Sequence, residues 1–239
     1  MRVVLSIGGS VLVPDLDADR VAAFASVVNG LAADGVTLGV VVGGGAIARE
    51  YIGAARSLRA NEIELDGLGI AATRLNARLF ITALGGRAIP SPATDYEAAG
   101  AALRRGDVAV MGGVTPGQTT DAVSAAVAEY VGADLLVYAT SVPGVFSADP
   151  ETSADARKFE RLSAGDLVDV IADVEMSAGA SAPVDLLAAK LIERSGTRTI
   201  VLDGTDPERI ERAVHTGEHG GTDVVPEGSN DEPTYWVDG

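Results

Sequence analysis

The chain is 239 residues long and 47% apolar, enough to bury a substantial core in one large or two-lobed domain, which excludes a disordered body. Its 34 acidic residues outnumber 18 basic ones, giving a net charge of −16 that repels phosphate backbones and argues against a nucleic-acid partner. Cysteine is absent, which excludes a disulfide framework, a thiolate nucleophile and a cysteine-based zinc site.

In chain order, short runs rich in Val, Ile and Leu alternate with longer Ala-rich helical stretches. A strand is expected over 2–7, a helix over 17–33, a strand over 36–42, and helices over 46–58 and 61–84. A strand over 107–111, a helix over 120–131 and a strand over 135–139 follow. Two β-like pieces, 145–147 and 157–160, flank a turn rich in Pro, Asp, Ser and Thr and suggest an antiparallel excursion. A helix over 184–194 and a strand over 199–202 complete the regular part. The final polar stretch, 227–239, lacks a period and reads as a flexible or loosely docked tail. Continuous apolar strands separated by helices imply a largely parallel sheet covered on both faces. No apolar run approaches the roughly 18–20 residues that span a bilayer, so no membrane partner is expected. Nor does the N-terminus resemble a signal peptide, and the expected location is cytoplasmic. His215 and His219 lie four apart beside Gly217, Gly220 and Gly221 and read as a solvated helix end, because no third ligand accompanies them. No protein metal site is expected.

Glycines cluster after three strands: Gly8 and Gly9 before Ser10, then Gly43, Gly44 and Gly45, then Gly112 and Gly113. The second cluster sits in VVVGGGAIAREYI (40–52) and opens a helix directly. The third leads through VTPGQ to a helix beginning near Thr119, Thr120 and Asp121. A helix start offers unpaired N–H groups and a partial positive charge, and glycine lets an anion approach them. Three such turns at one end of a parallel sheet make a donor-lined crevice suited to phosphate. Residues 43–48 also fit G-x-G-x-x-A after a strand, with Asp66 at roughly the spacing of a ribose-binding acid. That pattern supports a dinucleotide-binding unit, but it sits on the second strand and leaves the other two glycine turns unexplained. A second weak match at 67–72 has no strand before it and reads as helix packing. The Walker pattern is absent.

Four stretches occur in order: IGGSVL (7–12), VVVGGGAIARE (40–50), VMGGVTPGQTTDA (110–122) and TSVPGVFSADP (140–150). Together they resemble the amino acid kinase superfamily, and within it the archaeal-type uridylate (UMP) kinases. The resemblance covers about residues 1–226 and ends in GEHGGTDVVP. It implies a three-layer α/β/α sandwich around a central, mainly parallel sheet. It further implies one domain over 1–226, with an acceptor lobe at about 1–133 and an ATP lobe at about 134–226, before a polar tail at 227–239. The implied reaction transfers the γ-phosphoryl group of ATP to UMP, giving UDP and ADP in pyrimidine nucleotide synthesis, with Mg²⁺ accompanying ATP. A homohexamer is implied as well. The acidic, lysine-poor composition, with only Lys158 and Lys190, resembles that of proteins from salt-loving archaea.

By the same resemblance Gly9, Ser10, Gly45 and Arg49 would meet the transferring phosphates, and Thr140, Phe146 and Asp149 would hold the adenosine part of ATP. Gly44 would face the UMP phosphate and Asp66 the UMP ribose. The loop made of Val114, Thr115, Pro116, Gly117, Gln118, Thr119 and Thr120 would hold uracil and ribose. Asp121 matches the acid that orients cationic groups at the reacting centre, so Arg49 and Asp121 are the catalytic candidates. Phosphoryl transfer relies on alignment and charge neutralisation, and a nucleoside monophosphate with a second pKa near 6 is already mostly deprotonated at neutral pH. The chemistry therefore suits a chain with two histidines and no cysteine.

One departure stands out. Many superfamily members carry a lysine in the first strand, two residues before the glycine pair, where this chain has Ser6. Arg49 is the nearest replacement cation, and Lys190 in LLAAKLIERSG is a weaker one. The alternatives are an isopentenyl phosphate or acetylglutamate kinase of the same superfamily, an NAD-binding Rossmann oxidoreductase, and a nucleotide sensor without turnover. The absence of histidine from the N-terminal half disfavours the isopentenyl phosphate reading.

Overall fold

A computed structural model describes residues 1–150, 153–175, 183–229, 233 and 236. Among these, seven strands form one sheet in the order β3-β2-β1-β4-β6-β7-β5. They are β1 (Arg2–Ile7), β2 (Thr37–Val42), β3 (Ala109–Met111), β4 (Leu135–Thr140), β5 (Arg161–Ser163), β6 (Arg198–Asp203) and β7 (Thr222–Val225). The first five places in that order pair in parallel; β7 runs antiparallel to β6 and parallel to β5. The helices are α1 (Gly9–Leu12), α2 (Ala18–Ala33), α3 (Gly45–Ser57), α4 (Glu62–Leu84), α5 (Tyr96–Arg105), α6 (Thr120–Val131), α7 (Ala164–Glu175), α8 (Leu186–Ser195) and α9 (Glu208–Thr216). Among the described residues no helix is long and apolar enough to cross a membrane.

Strand side chains alternate between faces, so a continuous apolar run feeds two cores at once. Val3, Leu5 and Ile7 of β1 join Val137 and Ile200 under α2, α4 and α9. Val4 joins Val41, Leu136 and Tyr138 under α5, α6, α7 and α8. Two apolar layers on one sheet give the three-layer α/β/α sandwich expected from the sequence. The chain leaves β1 toward β2 and β3 on one side, then crosses to β4 and β6 on the other. The order reverses between β1 and β4, and open α/β sheets bind ligands beyond the carboxyl ends of strands at such a point.

The long predicted elements are present with ends shifted by a residue or two. Helices α5, α7 and α9 and strands β5 and β7 were not read from the sequence. The antiparallel excursion is a narrow hairpin stem: Ser147 N donates to Arg157 O at 2.9 Å and Phe159 N to Val145 O at 2.9 Å. Buried Thr222 clasps it, its hydroxyl accepting from Val145 N at 2.8 Å and donating to Phe159 O at 2.5 Å. In the tail, Trp236 docks against the first core, its ring 4.6 Å from the Arg198 guanidinium. Arg198 is itself buried and paired with Asp223 at 3.0 and 2.7 Å, tying β6 to β7. The two histidines diverge: His215 lies 3.3 Å from Asp34, while Nδ1 of His219 accepts from Gly221 N. Burial holds the His219 imidazolium down, favouring the neutral ring.

The first two glycine turns interlock, main chain against main chain. A Cβ added to Gly9 would stand 2.2 Å from Gly45 N, one on Gly43 2.6 Å from Gly9 N, and one on Gly45 2.6 Å from Gly9 C. Gly45 also has φ +63°, which glycine adopts without strain. Side chains are missing here first because the neighbouring turn occupies their space. Gly9→Ala should therefore lower stability by roughly 1–3 kcal/mol or more. Gly53→Ala, at a mid-helix position of α3 with nothing within 4 Å, should raise it by about 0.5–1 kcal/mol. Urea titration of both variants checks the pair, and a Gly9→Ala protein as stable as the parent would refute the interlock.

Candidate active site

The heads of three helices meet at the carboxyl end of β1, β2 and β3. Helix α3 starts at Gly45, and its first in-helix bond runs from Ala48 N to Gly44 O at 3.3 Å, so the preceding amides stand free of the helical ladder. Buried Asn76 on α4 fixes the loop that presents them, donating to Gly43 O at 2.9 Å and Gly44 O at 3.1 Å. The third glycine turn is seated on α4 too. Gly113 N donates to the Thr73 hydroxyl at 2.7 Å, and a Cβ on Gly112 would lie 2.5 Å from that oxygen. Thr73 and Asn76 thus use one face of α4 to hold two of the three turns.

Beside these turns opens a cavity of about 460 Å³, within the range of small-molecule sites. Gly44, Gly45, Arg49, Asp66, Gly117, Gln118, Thr119 and Thr120 all line it, from three separate parts of the sequence. The remaining wall is Ala48, Ile52, Gly69, Ile70, Thr73 and Gly113, which is apolar or small. Asp66 anchors the facing loop by accepting from Gly117 N at 2.8 Å. The Gln118 side chain accepts from Tyr96 OH at 3.1 Å, and burial pushes that phenol upward in pKa. Arg49 is exposed at the mouth, makes no ion pair among the described residues, and is the cation of the wall.

The other expected residues lie around this cavity rather than in its wall. Gly9 is buried against Gly45, with exposed Ser10 next to it at the start of α1. Val114 leans on the second core, while Thr115 and Pro116 are exposed at the loop tip. Thr140 ends β4, its hydroxyl accepting from Val142 N at 2.9 Å. Phe146 is half-exposed in the hairpin stem bridged to Lys158, and Asp149 is buried just beyond. This second group follows β4, on the other side of the sheet's reversal from Asp66 and the acceptor loop.

Asp121 does not cap α6; Thr119 does, accepting from Ala122 N at 3.1 Å. Asp121 occupies the first turn, part-buried, and its main-chain carbonyl accepts from buried Tyr138 OH at 2.8 Å. Its carboxyl is pushed up to about 7, first by desolvation and then by the charge of Asp185. Ser6 sits 5% exposed in β1, in register with Val41 and Tyr138 under α6, so no charge enters from that position. Lys190 points outward on α8 and pairs with Glu193 at 3.1 Å, which removes it from the site.

Sequence reasoning passed over Thr73, Asn76 and Asp185. The first two had a signal: they fall on the apolar stripe Leu65, Ala72, Ala77, Phe80, where a polar residue must find a partner. Asp185 had one as well, standing just before the helical run LLAAKLIERS in the position of a cap.

Known proteins resemble this chain in sequence and in fold. The profile of the amino acid kinase family matches residues 1–203. The uridylate kinase of Halobacterium salinarum is 70% identical over 238 residues, covering 100% of this chain and 99% of its own. That of Haloarcula marismortui is 66% identical over 227 residues, covering 95% and 100%. The crystal structure of uridylate kinase from Archaeoglobus fulgidus matches with a TM-score of 0.85 at 45% identity, over 94% of this chain and 100% of that one. The UMP kinase of Bacillus anthracis, at 22% identity and a TM-score of 0.78, shares the fold. With the profile spanning most of its length and close relatives covering nearly all of it, the chain belongs to the amino acid kinase family.

Proposed function

We propose that the chain is a uridylate kinase that transfers the γ-phosphoryl group of MgATP to UMP. The observation that carries this reading is the single cavity into which Gly44, Gly45, Arg49, Asp66 and residues 117–120 all open. Relatives named uridylate kinase at 70% and 66% identity support it. The first lobe, about 1–133, holds the acceptor and the second, about 134–226, holds ATP. UMP lies in the cavity with its phosphate toward Gly44, its ribose on Asp66 and its base along the 114–120 loop. ATP enters from the side of Thr140, Phe146 and Asp149, its phosphates reaching Gly9, Ser10, Gly45 and Arg49. Magnesium arrives with the nucleotide as part of the substrate.

The residues present suffice for this chemistry. The acceptor oxygen belongs to a phosphate that is largely ionised near neutrality, so no side chain has to remove a proton. The chain's task is to bring two anions into line, and amides with one guanidinium supply fixed positive ends that need no reorganisation. Asp121, set behind the reacting centre, orients the cations that gather there. The dinucleotide reading loses its support: the glycines of the G-x-G-x-x-A stretch are accounted for by Gly9, Asn76 and the start of α3. An apolar or amino-acid acceptor would have little use for the Asp66–Gly117 and Gln118–Tyr96 contacts that shape the facing loop.

The protein works in the cytoplasm as a homohexamer. Among the described residues, five of the eight large exposed apolar side chains, Tyr51, Leu58, Ile63, Leu75 and Leu79, lie on or beside α3 and α4, which fits burial between copies. Light scattering at high KCl is expected to give six times the chain mass; a monomer at micromolar concentration would refute the assembly.

A coupled assay should show UDP formed from UMP and MgATP, and Arg49→Ala should lower turnover at least ~100-fold, close to 2.7 kcal/mol of transition-state stabilisation. A rate near the parent's would remove Arg49 from the centre. Asp121→Asn should have opposite effects on activity and stability. The native carboxyl holds its proton up to about pH 7, whereas the unfolded one releases it near 3.8, so the native state binds the extra proton between those limits. The stability contributed by this group is therefore full below about pH 4, falls as pH rises toward 7, and stays low above. Asparagine removes that loss, so the variant should gain ~1–4 kcal/mol over the parent at pH 8 while turning over far more slowly. Equal stability of the two proteins at pH 8 would contradict the buried-charge assignment.

A further inference from the structure

Thr119 and Asp185 cap two different helices and are bonded to each other. The Thr119 hydroxyl accepts from Ala122 N at the head of α6 and donates to the Asp185 carboxylate. The other oxygen of that carboxylate accepts from Ala188 N at 2.9 Å, closing the head of α8. Thr119 also lines the cavity near the end of the acceptor loop. One side chain, 66 residues away in sequence, therefore fastens this loop to a helix of the second lobe. Asp185 belongs to none of the four stretches that carried the family resemblance and lies outside the cavity wall.

The charge of the same carboxylate is also felt at Asp121, two residues beyond Thr119, where it adds to burial in holding that carboxyl's proton. Among the described residues Tyr138 from β4 also reaches Asp121, donating to its main-chain carbonyl, and the phenol is kept neutral by burial and by the two acids. Lys190, further along α8, pairs outward with Glu193. Among the described residues no cation pairs with either acid, and a second charge beside Asp121 makes that carboxyl harder to ionise, a poor arrangement for structure alone. A helix cap alone would not need it, because asparagine caps as well as aspartate.

We propose that Asp185 is a positioning residue of the transfer site: through Thr119 it holds the acceptor loop at the head of α8, and it keeps a second negative charge behind Asp121. The proposal rests on the assignment of that loop to UMP.

Steady-state kinetics of the full chain from pH 5.5 to 9, with UMP and MgATP varied separately, test it. Asp185→Asn keeps the cap through its one oxygen, turns its amide NH2 to donate to the Thr119 hydroxyl oxygen in place of the present bond, and loses the charge. It should leave both KM values within ~2-fold and move the acidic limb of the kcat profile down by about half a pH unit or more. Asp185→Ala loses the latch and should raise KM for UMP ~10-fold or more while KM for ATP stays within ~2-fold. An unshifted profile for the asparagine variant, or an alanine variant without a selective rise in KM for UMP, would overturn the inference. Should the alanine protein fail to fold, the asparagine pH profile decides by itself. Absence of UDP from the unsubstituted chain would overturn the kinase reading and this inference with it; UDP from that chain with unmoved variants would overturn this inference alone.

Discussion

The structure depends on two stretches of main chain lying directly against each other at the ends of neighbouring strands. Gly9 and the Gly43–Gly45 turn leave no room for a methyl group between them, and Asn76 braces the same loop from α4. Because β1 and β2 are adjacent and parallel, their exits emerge side by side, and any two ordinary turns there would splay apart on their side chains. Removing the side chains lets the turns close up and brings the starts of α1 and α3 within reach of one bound group. The conformational entropy lost with each glycine is a real cost, but it is incurred where the fold has its topological reversal and a ligand must approach.

That contact also explains how two substrates can be served by one sheet. The cavity residues hang from β2, β3 and α4, and the hairpin residues follow β4. Between them stands the β1 turn, touching Gly45 on one side while Gly8 N bonds Ala139 O on the other at 3.0 Å. A group held there is in contact with both halves of the fold. The part of the sheet beyond β4 is braced too: Thr222 clasps the hairpin stem, and buried Arg198 with Asp223 fixes β7 to β6. The β1 turn thus lies between two braced parts of the sheet, which is what alignment-driven transfer asks of a scaffold.

How much of this was legible follows from which interactions are local. Strands β1, β2 and β4 were readable because burial on both faces forces an unbroken apolar run, and α2, α4 and α6 because their buried stripes recur every three or four residues. Helices α5 and α9 were missed because they are short and their sequences are strongly polar on one side; their caps, Asp95 and Gly217, say little without the tertiary context. Strands β5 and β7 have three and four residues, too few for a period. At the site, Arg49 and Asp66 were found through a motif, whereas Asp185 was not, because its importance comes from Thr119 lying 66 residues earlier in the chain. The glycines gave a correct signal with an incomplete cause: something does come close to the backbone at Gly43 and Gly45, and the first thing to do so is Gly9.

A net charge of −16 makes the choice of backbone donors more than economical. Two polyanionic substrates must settle into a protein that repels them at long range, and the wall of the cavity offers Arg49 as its cation. In concentrated salt the Debye length shrinks to about 3 Å at 1 M and surface fields vanish within one contact distance. In such a medium the acidic surface neither steers nor repels, and attraction survives only where donor and phosphate touch. Amides at helix heads meet that condition because they are fixed and already desolvated on one side. Ser6 in place of a strand lysine fits under α6 beside Tyr138 and brings no cation to the side of the sheet that holds Asp121. The cation then enters from the rim, on Arg49, where it is still free to meet a phosphate.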